Sequence, residues 1–264
     1  VARSADLEAG WPFDGFSDAV REFGPRLAKE ARPGRLGGSA RSLLTGDGPQ
    51  KLVVIALHDE VSRHLSSTRS YEIYGQLRTA ISGHATAGVV IALTDAKHAL
   101  GAALAVGRSM PLFSRKTSNK DETAATVVLR TATGPIAATP ELTNAANAVR
   151  LAQRLVDTPP ADLTTAAFEQ EARDAARGLP HVSVESIVGD DLLTAGLRGL
   201  HAVGRTAMVA PRIVVLDYNP PNATDTIALV GKGLVYDTGG LSLKIVGDRM
   251  LTMKCDMGGA AAVL

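Results

Sequence analysis

Lys232, Asp237, Lys244 and Asp256 follow one another in VGKGLVYDTGGLSLK and MKCDMGGAAAVL, among glycines at 231, 233, 239 and 240. Two carboxylates offer hard oxygen ligands to zinc, manganese or magnesium. A lysine can join them only as a neutral amine. Its reference pKa of about 10.4 must then fall far, which burial and a nearby dication would drive. Lys232 ends the apolar run TIALVGKG, which reads as a buried strand, so burial is expected of it. Lys244 lies beyond the YDTGG turn and can stay protonated to stabilise an oxyanion. The glycines let the backbone bend tightly around such a centre. Simple surface salt bridges are the bland alternative for these residues. A phosphate loop fails, because Lys232 is followed by Gly233 and no glycine stands five residues before Gly231. A dinucleotide fingerprint is absent.

Alternating strand and helix patterns must position these groups. KLVVIALHDE (51–60), AGVVIALTDA (87–96) and ATVVLRTAT (125–133) read as strands. Between them, residues 69–85 carry Tyr71, Ile73, Tyr74, Leu77 and Ile81 at helical spacing, and 97–113 reads as a helix ending before Pro111. Such alternation predicts βαβ units and a mostly parallel sheet. Residues 32–50 and 113–124 read as surface loops. A helix with Thr143 as its cap is expected within 139–164, broken at DTPPAD by Pro159 and Pro160. This segment carries the junction between an N-terminal α/β domain, 1–140, and a second α/β domain, 141–264. There the pattern predicts a helix over 164–177, a strand over 182–189, a helix over 190–204, and strands over 211–219 and 225–237. Asp256 would open a short helix, where the helix dipole favours a carboxylate.

The motifs VGKGLVYDTGGLSLK and MKCDMGGAAAVL closely resemble the signature of the leucyl aminopeptidase (cytosol aminopeptidase) family of two-metal exopeptidases. The YDTGG variant is most similar to the animal aminopeptidase-like branch. The likeness extends back through PRIVVLDYNP and VRLAQRLVDTPPADLT, over about residues 145–264. It implies an N-terminal βαβ sheet domain followed by the first part of an α/β metallo-aminopeptidase catalytic domain. Residue by residue, Lys232 matches a lysine ligand of one metal. Asp237 matches an aspartate touching both metals, and Asp256 an aspartate on the lysine-bound metal. Lys244 matches the catalytic lysine, and Met253 a methionine lining the pocket for the substrate's first side chain. Two divalent ions (zinc, manganese or cobalt), a bicarbonate, peptide substrates, a homohexamer and a cytoplasmic location are implied with them.

Two departures stand out. Lys244 and Asp256 are twelve apart, one more than the family pattern, and IVGDRMLT (245–252) is where the extra residue is expected. The family's second set of ligands, in an Asn-Thr-Asp-Ala-Glu-Gly-Arg segment, does not occur in these residues. His58, His64, His84, His98, His181 and His201 lack metal-ligand spacing, so none replaces it. Natural domains seldom stop inside a run such as MGGAAAVL, so both ends are expected to be cut, and residues 1–264 alone are expected to be inactive. A scaffold or nucleic-acid-binding protein on the same fold is the alternative.

Composition sets the outer bounds. At 45% hydrophobic and 21% charged, the chain is ordinary globular sequence. A net charge of +1 gives nucleic acid or an anionic membrane little to hold. The single cysteine, Cys255, excludes a disulfide framework and points to a reducing compartment. No apolar run approaches the roughly 20 residues of a membrane span.

Overall fold

The computed structural model describes residues 1–44, 51–115, 117, 123–244 and 247–264. It divides into two compact units, Val1–Arg150 and Leu151–Leu264.

In the first unit the central strand is β3 (Lys51–Leu57). It pairs in parallel with β1 (Ala2–Arg3) and antiparallel with β2 (Gly38–Leu43). Strand β4 (Thr86–Ala92) pairs in parallel with β5 (Ala124–Thr131), and β5 antiparallel with β6 (Gly134–Pro135). Val1 links the two ladders: its carbonyl accepts from Ala92 N–H at 2.8 Å. The expected parallel sheet is therefore mixed. β2 lies inside the expected surface loop 32–50, because its alternate residues can pair along β3 with one face half-buried. Residues 45–50, and 116 and 118–122 of the other expected loop, lie outside the described residues.

Strand pleating sends successive side chains to opposite faces, and β3 builds two cores this way. Ile55 and Leu57 pack with Ile73, Leu77 and Ile81 of α3 (Ser70–Ile81) and with Ala102, Ala105 and Val106 of α4 (Ala99–Ser109). Val54 and Ala56 pack on the other side with Leu7 of α1 (Ser4–Ala9) and with Val20 and Leu27 of α2 (Asp18–Glu30). Ile73, Leu77 and Ile81 form one stripe of α3, whereas Tyr71 is 62% exposed and stands off it. Helix α5 (Pro140–Asp157) is capped by Thr139, whose hydroxyl accepts from Leu142 N–H at 3.4 Å. The expected cap, Thr143, lies inside the helix and donates its N–H to Thr139 O.

In the second unit β7 (Val182–Val188) and β8 (Arg212–Tyr218) form an antiparallel pair. Between them the expected single helix is two: α7 (Asp191–Thr194) and α8 (Arg198–Gly204), separated at Gly196, which takes φ +78°. The expected strand over 225–237 is not formed. Its apolar run suits a strand covered on both faces, yet no described strand pairs with it, and Ile227, Leu229 and Val230 are 71–91% exposed. Strand propensity without a ladder partner leaves the segment irregular.

Helix α6 (Thr165–Ala176) is capped by the Thr164 hydroxyl on Ala167 N–H, and Glu169 ties it to the strand pair. Glu169 Oε1 accepts from Ser186 Oγ at 2.7 Å and from Arg173, while Oε2 accepts from Arg212 Nη1 at 2.5 Å. The Ser186 hydroxyl, with Arg173 and Arg212, lowers its pKa from an ordinary 4.5 to about 2. A depression of that size in a side chain only 12% exposed is worth on the order of 3 kcal/mol at most. Because the folded value lies below the unfolded one, this stability is present above about pH 4.5 and is lost as pH falls toward 2. Urea unfolding at several pH values should therefore show Glu169→Gln destabilising the chain near neutrality, with the gap from wild type closing toward pH 2. A gap constant with pH would contradict this assignment.

Candidate metal centre

The turn between Asp237 and Lys244 brings those two together. Gly239 and Gly240 take φ of +90° and +62°, a region that glycine enters without strain. A Cβ on Gly239 would also lie 2.2 Å from Ser242 O. The reversal lets Lys244 N–H donate to Thr238 O at 3.0 Å. Lys244 Nζ then donates to Asp237 Oδ2 at 2.5 Å and to the Asp237 carbonyl at 3.2 Å. Asp237 Oδ1 accepts from Gly239 N–H at 2.8 Å. The Lys244 ammonium foremost, then the Gly239 N–H, holds the Asp237 carboxyl below its usual range, and the charge of Lys232 adds to the effect. Asp237 is thus an ionised carboxylate within the electrostatic reach of both lysines.

Lys232 meets Asp256 through a close approach of two backbones. Gly231 lies against α10 (Gly258–Val263), where a Cβ would sit 2.5 Å from Ala260 Cα and 2.6 Å from Gly259 O. Only bare backbones approach so closely, and the contact lets Ala260 N–H donate to Lys232 O at 2.9 Å. The glycines of GKG and the small residues of MGGAAA are therefore two sides of one contact. Across it Lys232 Nζ donates to Asp256 Oδ2 at 2.8 Å. Beneath lies a core of Leu155, Leu163, Met257 and Ala261, with Val235 packed on it.

Two lysine–aspartate pairs are thus assembled, Lys232 with Asp256 and Lys244 with Asp237. One expectation is corrected: Lys232 is not buried at the end of a strand. Its side chain is 60% exposed, because residues 225–237 form no ladder that would cover it. Met253 is half-buried and opens a single 3₁₀ turn, Met253–Cys255, whose first carbonyl accepts from Asp256 N–H. In the stretch expected to hold the extra residue, 245 and 246 lie outside the described residues, and α9 spans Asp248–Thr252. Among the described residues no three His, Cys, Asp or Glu side chains group as metal ligands. Four of the histidines have polar partners: His58 with Glu72, His84 with Lys51, His98 with Ser67, and His201 with Asp190.

Two contributors have no local signal in the sequence. Tyr236 Oη donates to Met250 O at 3.1 Å, tying the turn to the stretch that follows it. Lys254 Nζ donates to Val156 O at 2.9 Å and Asp157 O at 3.1 Å, nearly a hundred residues away along the chain.

Residues 150–264 match the catalytic domain of the cytosol aminopeptidase family, and residues 40–119 match the M17 aminopeptidase N-terminal domain 2. The chain belongs to the cytosol aminopeptidase (M17) family. It is 38% identical over 220 residues to the probable aminopeptidase NPEPL1 of Homo sapiens, an alignment covering 80% of this chain and 41% of that protein. It is 37% identical over 214 residues to leucine aminopeptidase 1 of Caenorhabditis elegans, covering 80% and 43%. The chain thus spans about two-fifths of the length of these curated relatives. Among solved structures, leucyl aminopeptidase from Trypanosoma brucei in complex with bestatin superposes with a TM-score of 0.80 at 31% identity, over 99% of this chain and 52% of that one. The bottromycin maturation enzyme BotP in complex with Mn gives 0.60 at 29% identity, over 88% and 49%. No helix among the described residues is long and apolar enough to cross a membrane.

Proposed function

We propose that this chain is part of a metal-dependent aminopeptidase that releases N-terminal amino acids from peptides. The observation that carries the reading is the assembly of Lys232 with Asp256 and Lys244 with Asp237 inside the stretch that matches the family's catalytic domain. The donor set suits divalent cations: Asp237 is held ionised, and Asp256 shares its carboxylate with a lysine that would become a ligand on losing its proton. Lys232, Asp237 and Asp256 would hold the ions, of zinc, manganese or cobalt. Bound there, they supply Lewis acidity and a nucleophilic water at neutral pH.

The remaining roles fall to the chain's own side chains. Lys244 is 26% exposed and is held by both the carboxylate and the carbonyl of Asp237. With the Asp237 carboxylate given to an ion, the Lys244 ammonium would be free to turn toward the substrate carbonyl and to stabilise negative charge as it develops there. Met253 would line the pocket for the substrate's first side chain. A homohexamer and a cytoplasmic setting belong to the same proposal.

Hydrolysis of leucine amide by the protein of the full reading frame tests it. A chelator should abolish turnover, and zinc or manganese should restore it. Residues 1–264 alone should be silent, because two carboxylates and a lysine are few ligands for two dications. Turnover that survives exhaustive chelation would reject the metal-dependent reading.

A further inference from the structure

The carboxyl end of α5 is held by a residue that comes from the candidate metal centre. The last carbonyls of a helix have no partner within it. In α5 the Arg154 carbonyl is taken by Thr158 through both its N–H, at 3.0 Å, and its hydroxyl, at 2.6 Å. The carbonyls of Val156 and Asp157, two and three residues further on, are both taken by Lys254 Nζ, at 2.9 and 3.1 Å. A cation there also meets the negative end of the helix dipole.

The neighbours of Lys254 give this contact its meaning. Met257 is 1% exposed and packs with Leu155, itself fully buried in α5. Gly258 lies on the same helix end, where a Cβ would sit 3.5 Å from Val156 Cγ2. Lys254 and Met257 thus grip the end of α5 from either side of Asp256. Asp256 instead reaches Lys232, its N–H fixed by Met253 O at 3.2 Å. The single 3₁₀ turn Met253–Cys255 joins α9 to Asp256, and its hydrogen-bond geometry is poorer than that of an α-helix, so tertiary contacts help to set its orientation.

We propose that Lys254 is a positioning residue: by capping α5 it fixes the direction of the Asp256 carboxylate toward Lys232, and so sets the affinity of the ion these two would share. The inference rests on the metal-centre reading given above. Partners that orient a ligand commonly change metal affinity by about 10- to 100-fold when removed. Lys254→Met keeps the length of the side chain and removes its donors, whereas Lys254→Arg keeps donors and charge.

Manganese titration followed by electron paramagnetic resonance, on the protein of the full reading frame, separates the possibilities. For Lys254→Met the expected result is about tenfold or greater weakening of one manganese site. Lys254→Arg should recover most of the affinity, and thermal unfolding should show the Lys254→Met variant still folded at the titration temperature. Should Lys254→Met fail to fold, Lys254→Gln replaces it in the same titration. Unchanged manganese affinity in a folded Lys254→Met or Lys254→Gln variant, while Asp256→Asn loses the site, would overturn the positioning role alone. Wild-type affinity in Asp256→Asn would instead bring down the metal-centre reading, and the role of Lys254 with it.

Discussion

Lys244→Ala, in the protein of the full reading frame, is expected to lower kcat by about 10²-fold or more, the loss that follows removal of one oxyanion donor. Metal content should stay near wild type. Lys244 donates to Asp237 but is matched to no ligand position, so its removal leaves the proposed donor set intact. The KM for leucine amide should change far less than kcat, because the interaction is made in the transition state. Lys244 also holds Asp237 ionised. In the metal-free variant, Asp237 would take up a proton at higher pH than in the wild type. A variant that loses its metal at neutral pH, and regains full turnover when metal is supplied in excess, would show Lys244 to be a structural partner of the centre and not a participant in the chemistry.

The second large effect concerns stoichiometry. Asp237 is proposed to touch both ions, whereas Asp256 serves the one shared with Lys232. Asp237→Ala should therefore abolish tight binding at both sites, and Asp256→Ala at one. In activity both variants should fall by several orders of magnitude, and metal analysis after gel filtration distinguishes them. Asp256→Ala has a further consequence: Lys232 loses its 2.8 Å partner, while the backbone contact of Lys232 O with Ala260 N–H survives. The local fold around Gly231 should then be retained, and a loss of metal cannot be assigned to collapse of α10. Equal stoichiometry in the two variants would contradict the shared role of Asp237.

Much of this was legible in the sequence because it is local. β3, β4, α3, α4 and α6 carry unbroken apolar runs or helical stripes, and their periodicity finds them. The reversal that brings Lys244 to Asp237 is legible for the same reason, because the two glycines between them favour a short-range turn, whereas their pairing matches the simple salt-bridge alternative. Pairing partners were less so. β8 runs antiparallel to β7, although strand–helix–strand alternation commonly gives parallel strands. The apolar run 225–237 has the composition of a strand, but a strand also needs a neighbour. Lys232 is consequently more exposed than its sequence context implied. The contacts of Lys254 with α5 span 97 and 98 residues, and no local pattern announces such a contact. Gly231 could have been found: a glycine-flanked lysine and a run of glycine and alanine are the residue types two backbones need in order to touch.

The proposed centre requires that Lys232, Asp237 and Asp256 converge on one cation. Crystals of the protein of the full reading frame, grown with manganese and measured at wavelengths on either side of the manganese absorption edge, would locate it. An anomalous peak is expected, bounded by Lys232 Nζ and carboxylate oxygens of Asp237 and Asp256, with contacts near the roughly 2.0–2.2 Å of nitrogen and oxygen ligands to zinc. Strong manganese peaks elsewhere, with Lys232 still paired to Asp256 as an ammonium and no density between them and Asp237, would contradict it.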